Sequence, residues 1–278
     1  MLLPVQDPHA VIAALGRPDP ANFTFRNFSR RPGALLLTDL ETGALVALNG
    51  SDFMVIAGSS AAHRQTMADL FSGNLAENAG WPNEDAHRDW QRNGTPYLFM
   101  NSSPIAVWEA GLEAGFLRPE DYEARHTANL YWFEGKPRFS HHIAHSCRLG
   151  HGMELYEQLR SGVGYDEDGY YTKLVLQENP SFVCEVRGVP VCWSTIHLNG
   201  TMGMIYTPSE HRRHGYARSL ACFQIDHVLR SQGFACCHVN SENVASYTML
   251  LELGAAKDET PIGWRPLHWP DGACPYSV

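Results

Sequence analysis

The 278-residue sequence predicts a mixed α/β fold, in which antiparallel strands are followed by a helix, a strand and a second helix. Apolar residues alternate with other residues over 189–197, which is the period of a strand. They recur at every third or fourth position over 217–229, which is the period of a helix. The same order of elements is predicted in both halves of the chain, so we expect two copies of one mixed α/β layer.

The predicted elements of the second half follow one another closely. They are a helix over 167–178, strands over 181–186, 189–197 and 202–207, a helix over 217–229, a strand over 235–239 and a helix over 244–253. Arg187-Gly188 and Asn199-Gly200 separate the three consecutive strands, and Asn-Gly is a strong hairpin signal. The three strands are therefore expected to be antiparallel. Gly233 ends the long helix, because glycine enters the left-handed conformation at low cost.

The first half repeats this order less clearly. Its predicted elements are strands over 33–37, 45–48 and 53–57, a helix over 62–71, a strand over 97–100 and a helix over 105–114. The segment Asn101-Ser102…Ala106…Glu113…Gly115 aligns without gaps with Asn240-Ser241…Ala245…Glu252…Gly254, at an offset of 240 − 101 = 139 residues. The offset is half the chain length, which indicates two tandem domains, 1–138 and 139–278.

The loop before the long helix of the second half has the composition of a phosphate cradle. It contains Arg212-x-x-Gly215-x-Ala217, with small residues where a phosphate would approach the backbone. A helix N-terminus exposes unpaired N–H groups and the positive end of the helix dipole. A loop between a strand and a helix is therefore a candidate anion-binding site.

The segment Thr207-Pro-Ser-Glu-His-Arg-Arg-His-Gly-Tyr-Ala217 resembles motif A of the GNAT superfamily of acyl-CoA-dependent N-acyltransferases. The family pattern is a strand and then Pro-Glu-x-Arg-x-x-Gly-x-Gly/Ala, and this chain has one extra residue before Glu210. Asn243, followed by a helix ending at Leu253-Gly254, is similar to the family's downstream segment. The resemblance covers residues 140–265 and implies a GNAT acyltransferase fold with acyl-CoA, such as acetyl-CoA, as co-substrate.

The resemblance also implies roles for individual residues. In the family the loop amides hold the coenzyme pyrophosphate, and a backbone N–H of the preceding strand holds the thioester carbonyl. The implied cofactor-binding residues are Ile205, Tyr206, Thr207, Arg212, Arg213, His214, Gly215, Tyr216, Ala217, Arg218 and Ser219. Asn243 is either a pantetheine contact or a helix N-cap, a role that asparagine fills well by itself.

Within the superfamily the chain resembles the glycine N-acyltransferases, which have a degenerate first half. Gly188-Val-Pro-Val-Cys-Trp193 and Gly200-Thr-Met-Gly-Met204 match strands of that family. The family's glutamate, its proposed general base, is replaced by Thr201, so glycine is a doubtful acceptor. The loop 58–63 of the first half lacks the Arg-x-x-Gly pattern, and we therefore expect a single coenzyme site, in the second half.

Catalysis requires a neutral amine and a protonated leaving thiolate. GNAT enzymes often protonate the thiolate with a tyrosine seven residues after the conserved asparagine, where this chain has Leu250. Tyr247 lies one helical turn earlier and is the candidate acid. Glu185 and His197, on adjacent predicted strands, are candidate bases, and His238 is a third. A relay of water molecules without a single base is the remaining alternative.

Composition excludes other classes of function. The net charge of −9 and the absence of a Lys/Arg-rich tract argue against nucleic-acid binding. No apolar run is long enough to cross a membrane, and the N-terminus lacks a targeting pattern, so we expect a cytoplasmic protein. The seven cysteines lack zinc spacing and are expected to be thiols in a reducing compartment. The histidines at 141, 142, 145 and 151 lack further converging ligands, so no metal is expected.

The sequence thus predicts an N-acyltransferase that moves an acyl group, with acetyl as the expected group, from acyl-CoA to the amine of a small molecule or an amino acid. Attack by the amine would be direct, without a covalent enzyme intermediate. A protein N-terminus or a lysine is an alternative acceptor. The rival hypothesis is a non-catalytic acyl-CoA-binding sensor or partner protein, because Thr201 and Leu250 replace two residues expected in the catalytic set.

Overall fold

The computed structural model describes residues 1–76, 79–116, 128–138, 145–162, 169–269 and 274–276. The chain divides into two compact units. Unit 1 comprises Met1–Ala128 and Thr260–Val278, and unit 2 comprises Asn129–Glu259. The division predicted from the repeat, between residues 138 and 139, differs from these units mainly in the C-terminal segment, because residues 260–278 cluster with the first half of the chain.

Unit 1 is a mixed α/β layer. Its elements are β1 (Leu2–Pro4), α1 (Pro8–Ala14), α2 (Phe23–Phe28), β2 (Leu35–Asp39), β3 (Leu45–Asn49), β4 (Asp52–Ile56), α3 (Ser60–Phe71), α4 (Glu84–Asn93), β5 (Leu98–Pro104) and α5 (Ile105–Glu113). The strands β2, β3 and β4 are antiparallel, as expected for a repeat of the order in the second half, and β5 runs parallel to β4. The strand segment 262–267, which belongs to this unit, pairs antiparallel with β5.

The two faces of the unit 1 sheet are covered by different helices. Met67, Leu70 and Phe71 of α3 lie in the same buried cluster as Val107 and Trp108 of α5, which gives each helix one apolar face against the sheet. The opposite face packs against Phe25 and Phe28 of α2, together with Ile12 of α1. Complete burial of side chains as large as Trp108 indicates that this unit has a core of its own.

Unit 2 has the same order of central elements. Its elements are β6 (Ala128–Phe133), β7 (Ser146–Leu149), α6 (Tyr156–Gly162), α7 (Tyr170–Glu178), β8 (Ser181–Val186), β9 (Val189–Ile196), β10 (Met202–Tyr206), α8 (Tyr216–Gln232), β11 (Ala235–Asn240), α9 (Val244–Glu252) and β12 (Ala256–Leu267). A four-stranded antiparallel sheet has the order β10-β9-β8-β7. The strand β6 lies between β11 and β12, outside this four-stranded sheet.

The long helix α8 covers one face of the four-stranded sheet. Leu220 and Ile225 are completely buried, in a cluster that also contains Phe182 of β8. The buried Gln224 fixes the helix to β9, since its Nε2 donates to the Thr195 carbonyl at 2.6 Å and its Oε1 accepts from Ser194 at 3.1 Å. The helix ends at Gly233, whose φ of +75° is left-handed, as the sequence predicts.

The opposite face of this sheet is covered by α6 and α7. Leu155, Leu159 and Leu176 pack there against Val183 and Trp193. The sheet of unit 2 therefore lies between α8 on one side and two shorter helices on the other. This arrangement confirms the predicted fold class, and it places the β10–α8 loop at the edge of the sheet.

Candidate functional site

A gap in hydrogen bonding separates β10 from β11. The two strands lie near each other, but they belong to different sheets. A bulge interrupts β10 between Gly203 and Tyr206, and Met204 within it has a φ of +54°, which is left-handed and unusual for a residue with a side chain. Backbone groups on the β11-facing edge of β10 have no ladder partner among the described strands and are therefore available to a ligand.

The helix after β10 begins with an N-terminus that no side chain caps. Gly215 is the N-cap residue, with a φ of +81°, and it makes no side-chain cap bond. The first helical bond runs from the Ser219 N–H to the Gly215 carbonyl at 3.0 Å. The N–H groups of Tyr216, Ala217 and Arg218 therefore have no carbonyl partner within the helix. Together with the helix dipole they form a suitable cradle for an anion.

Arg212 lies against its own loop. Its Nε donates to the Thr207 carbonyl at 2.9 Å, and its guanidinium carbon lies 5.9 Å from the centre of the Tyr206 ring, within the range of a cation–π contact. The Thr207 hydroxyl donates to the Cys192 sulfur at 3.1 Å. These contacts hold the end of β10 and the loop in one conformation, with the positive charge of Arg212 within the loop. Arg213, in the same loop, has a left-handed φ of +68°.

His145, which precedes β7, contacts this loop directly. Its Nε2 lies 2.9 Å from the His214 carbonyl oxygen, and its ring lies 4.6 Å from that of Tyr216. The same Nε2 is 3.7 Å from the place that a Cβ on Gly215 would occupy. The sequence identified His145 only as a member of a histidine cluster, and its neighbours His141 and His142 lie outside the described residues.

Three predicted cofactor-binding residues have other contacts. Arg218 forms an ion pair with Glu252 of α9, and both side chains are about half exposed. Ser219 is buried, with 5% of its surface exposed, and its N–H is used within the helix. Asn243 is the N-cap of α9, because its Oδ1 accepts from the Ser246 N–H at 3.2 Å. The cap uses the amide oxygen, so a ligand contact of Asn243 would use Nδ2.

His197 lies at the beginning of the same gap. Its Nδ1 is 2.8 Å from the Tyr171 hydroxyl, and its Nε2 lies where a Cβ on Gly203 would be, only 1.9 Å from that point. Burial lowers the pKa of His197 to about 4. Burial, together with the charge of His197, lowers the pKa of His238 on β11 to about 3. Both imidazoles are therefore neutral at physiological pH, and they lie close enough to interact.

Glu185, the other predicted base, lies near the turn of the β8–β9 hairpin, where it pairs with Pro190. Arg148 donates to its Oε1 from Nε at 3.0 Å and from Nη2 at 2.6 Å. Thr195 pairs with Ser181 in the ladder, so Glu185 and His197 are separated by about 20 Å of strand length, at ~3.3 Å per residue. The structure therefore does not bring these two candidate bases together.

The candidate acid Tyr247 lies on α9, as does Leu250, and Thr201 lies in the β9–β10 turn; Leu250 and Thr201 replace the residues expected for catalysis. Tyr247 is partly buried and packs against the apolar cluster under α8, and the adjacent Leu250 is buried. Thr201 is 1% exposed, and its hydroxyl donates to Asn199 Oδ1 at 2.8 Å. Thr201 is thus a buried turn residue, and its hydroxyl is used in the turn itself.

Neither a metal cluster nor a membrane-spanning helix is present in the described part of the chain. No group of three or more His, Cys, Asp or Glu residues there has an arrangement that could hold a metal ion. Among the described helices, none combines the length and the apolar character that crossing a membrane requires.

Comparison with known proteins provides evidence on the fold and on the family resemblance. Residues 183–270 match the family model described as aralkyl acyl-CoA:amino acid N-acyltransferase, C-terminal region. A Drosophila protein of known structure is similar over 96% of this chain and 98% of its own, at 13% identity and a TM-score of 0.66. No curated protein sequence matches the chain.

A second solved structure carries the name of the superfamily. The GCN5-related N-acetyltransferase-like protein from Streptococcus suis is similar over 93% of this chain and 98% of its own, at 13% identity and a TM-score of 0.50. At such identity the likeness establishes the fold alone. The family-model match and the fold together confirm the resemblance to GNAT acyltransferases that the motif implies, and they support a co-substrate of the acyl-CoA class.

Proposed function

We propose that this protein is an acyl-CoA-dependent N-acyltransferase, which transfers an acyl group to the amine of a small molecule or an amino acid. The observation that carries the proposal is the adjacency of two unsatisfied backbone features, the uncapped N-terminus of α8 and the unpaired edge of β10. An anion and an extended chain attached to it would satisfy both. Coenzyme A combines a pyrophosphate with a pantetheine arm, and its chemistry therefore fits this pair of features.

The pyrophosphate would bind at the N–H groups of Tyr216, Ala217 and Arg218. The side chains of Arg213 and His214 belong to the same loop, and Arg212 supplies a positive charge beside it. The pantetheine arm would lie along β10, where the N–H groups of Ile205 and Tyr206 are candidates to hold the thioester carbonyl. A donor aimed at the oxygen of a developing tetrahedral intermediate is worth several kcal/mol in other acyl-transfer enzymes, about 2.7–4.

The reaction would be a direct transfer. The neutral amine nitrogen attacks the thioester carbon, the C–N bond forms, and the C–S bond breaks. The amine nitrogen loses a proton and the coenzyme A thiolate gains one, so no other reactant is needed. His197 is the candidate group for the proton on the amine, since its neutral imidazole lies in the gap beside β10. Tyr247 is the candidate donor to the departing sulfur.

An amino acid is the acceptor that we favour. The description of the matching family model names amino acids as acceptors and aralkyl acyl-CoA as donors. The acetyl group remains the simplest expected acyl group, and arylacyl groups are the alternative that this description raises. A cytoplasmic location is part of the same proposal, because acyl-CoA and reduced cysteines are both typical of that compartment.

The rival function is a non-catalytic acyl-CoA-binding protein. It is favoured by Leu250 and Thr201, because both positions lack the side chain expected for catalysis and Thr201 is buried in a turn. Such a protein would bind coenzyme A at the same loop but would release no thiol.

Thiol release separates the two functions. The full chain is incubated with acetyl-CoA, then with phenylacetyl-CoA, and with amines representing amino acids, alkylamines and peptides, while free coenzyme A is measured with a thiol reagent. Turnover on an amine, with the N-acyl product identified by mass spectrometry, is the expected result. Binding of both acyl-CoAs without turnover on any amine would establish the sensor instead. Absence of binding would overturn both hypotheses.

A further inference from the structure

We propose that Tyr171 positions His197 for the acceptor amine, by fixing the imidazole as the tautomer with its proton on Nδ1 and its lone pair on Nε2. Tyr171 is thus a positioning residue, and His197 is the group that would contact the substrate. The catalytic effect of this positioning rests on the proposed N-acyltransferase function. The tautomer of His197 can be observed without any reaction.

The contact between the two side chains is direct. The Tyr171 hydroxyl lies 2.8 Å from His197 Nδ1, a normal hydrogen-bond distance, and the two rings are tilted by 36° with centroids 6.0 Å apart. Tyr171 lies on α7 and His197 directly follows β9, so the bond joins two elements that are 26 residues apart in sequence. A hydroxyl can donate or accept, and the tautomer of the imidazole decides which role it takes.

The surroundings of Nε2 favour one of the two tautomers. This nitrogen is packed over Gly203, at a point where any side chain would collide with it. Gly203 begins the bulge of β10, which is the strand that would hold the thioester. Among the described residues, no group accepts a hydrogen bond from Nε2, since the Tyr171 hydroxyl at Nδ1 is the side-chain partner of this ring. A buried N–H without an acceptor is less tolerated than a lone pair without a donor. Placing the proton on Nδ1 lets it donate to the Tyr171 oxygen and leaves the Nε2 lone pair beside β10.

The other groups near His197 keep the ring neutral and oriented. Its backbone N–H donates to the Thr201 carbonyl at 2.8 Å, which fixes the position of the residue in the β9–β10 turn. His238 approaches from β11, where burial and the charge of His197 lower its pKa. Burial by itself lowers the pKa of His197. A neutral imidazole with a lone pair directed at the acyl-binding strand can accept a hydrogen bond from the amine, and it can take a proton as the C–N bond forms.

Neither residue type nor spacing reveals this pair in the sequence. In the sequence, Tyr171 is one of the apolar positions of a predicted helix. The preceding residue, Tyr170, has the same side chain but is 40% exposed. This neighbour provides a matched control, because Tyr170→Phe removes a hydroxyl from the adjacent position of the same helix. Tyr171→Phe keeps the ring and its packing, so the fold is expected to be retained.

The first measurement is the tautomer of His197 in the full chain, from the ¹⁵N shifts of its ring nitrogens by NMR. The signals are assigned by their loss in His197→Gln. We expect the proton on Nδ1 in the wild type and in Tyr170→Phe, and a shift towards the tautomer with the proton on Nε2 in Tyr171→Phe. An Nε2-bound proton in the wild type, or an unchanged tautomer in Tyr171→Phe, would overturn the proposal.

The second measurement is steady-state kinetics with the amine that gives turnover. Tyr171→Phe should lower kcat about 10-fold and leave the KM for acyl-CoA within about 2-fold, while His197→Gln should lower kcat about 100-fold. The double variant should be no slower than His197→Gln alone, since Tyr171 acts through the imidazole. Additive losses, or a kcat of Tyr171→Phe equal to that of Tyr170→Phe, would overturn the proposal.

The two measurements keep this inference separate from the proposed function. If the expected tautomer is present and depends on Tyr171 while no amine is acylated, the positioning by Tyr171 stands and the transferase function fails. If amines are acylated but the tautomer does not depend on Tyr171, the function stands and the positioning fails.

Discussion

Units 1 and 2 contain the same order of central elements but differ in the pairing of two strands. In unit 1, β4 and β5 form a parallel ladder in which Asp52 pairs with Phe99. In unit 2 the corresponding strands, β10 and β11, belong to separate sheets, and β10 is bulged. Closing the ladder satisfies the backbone of unit 1 internally. Leaving it open provides unit 2 with hydrogen-bonding groups for a ligand.

The units differ in the same way at the start of the following helix. In unit 1 the Ser59 hydroxyl oxygen accepts from the Ala62 N–H at 3.2 Å and caps α3. In unit 2 the N-cap of α8 is Gly215, which has no side chain to offer. The comparison shows that one scaffold becomes a candidate anion site by omitting a cap and a ladder, rather than by adding residues.

Features that only support the scaffold are present in both units. Asn49-Gly50 and Asn199-Gly200 form the turn before β4 and β10, with a positive φ at each glycine. An ion pair also joins the two helices that follow, Arg64–Glu113 in unit 1 and Arg218–Glu252 in unit 2. The predicted repeat therefore has structural counterparts, and Glu113 and Glu252 are among its five identities.

The largest effect on acetyl-CoA affinity is expected from placing a carboxylate at the uncapped N-terminus of α8. Gly215→Asp should cap the N–H groups of α8 and repel a phosphate, raising the Kd for acetyl-CoA about 30- to 100-fold, which corresponds to about 2–3 kcal/mol. Titration calorimetry with the folded protein measures this. Gly233→Asp is the matched control, because Gly233 ends the same helix with a similar φ of +75° and open space around it. An unchanged Kd for Gly215→Asp, or an equal loss in the control, would contradict the assignment of this loop.

A smaller effect is expected from pH on the free energy of unfolding, and its sign is opposite for the buried groups of the two units. Burial raises the pKa of Asp52 in unit 1 to about 7. Between about pH 4 and 7 the folded state therefore holds a proton that the unfolded state has lost, and the free energy of unfolding falls as pH rises. In unit 2 burial lowers the pKa of His197 to about 4 and that of His238 to about 3. Below about pH 6.5 the unfolded state binds protons that the folded state does not, and the free energy of unfolding falls as pH falls.

Urea unfolding between pH 4.5 and 7.5 tests both signs, with slopes of up to about 1.4 kcal/mol per pH unit for each group. Asp52→Asn should remove the decrease in the free energy of unfolding that accompanies rising pH. His197→Gln should reduce the decrease that accompanies falling pH. The exposed His9→Gln is the control and should leave the profile unchanged. If Asp52→Asn or His197→Gln had the same profile as the wild type, the buried group concerned would not have the stated pKa.

The smallest effect is expected from removing the helix caps themselves. Ser59→Ala in unit 1 and Asn243→Ala in unit 2 each delete one side-chain bond to a helix N-terminus, at a cost of about 1 kcal/mol in the free energy of unfolding. Ser59→Ala should leave acyl-CoA affinity unchanged. Asn243→Ala should weaken it only if the Nδ2 group contacts the pantetheine. A loss of affinity in Ser59→Ala would contradict the expectation of a single coenzyme site in unit 2.

Elements with clear boundaries in the sequence were predicted closely. The strand 181–186 has the predicted ends, because Pro180 and Arg187-Gly188 break the pattern on both sides. Several elements are not predicted by the sequence pattern, namely β1, α1, α2, α4, β6, β7, α6 and β12. β7 has only four residues, none of them buried, so its sequence carries almost no alternation. The predicted cofactor-binding residues from Ile205 to Ser219 lie on the end of β10, in the β10–α8 loop and on the first turn of α8. They remain neighbours after folding because a motif is local.

The partners of the site residues could not be predicted in this way. The Tyr171–His197 and Arg148–Glu185 pairs are 26 and 37 residues apart, and the contact of His145 with the loop spans 69. Each depends on which strands are neighbours and in what register, and a single sequence does not state this. Glu185 and His197 were predicted on adjacent strands, but the register of the hairpin puts them at opposite ends.

The sequence by itself determined the order of strands and helices, the turns between them and the composition of the β10–α8 loop. These depend on periodicity and on glycine, proline and asparagine at fixed places, which act over a few residues. The tertiary structure decided the separation of β10 from β11, the burial that keeps His197 and His238 neutral, and the hydroxyl that faces His197. These depend on which distant segments pack together, since burial and hydrogen bonding are properties of the assembled neighbours.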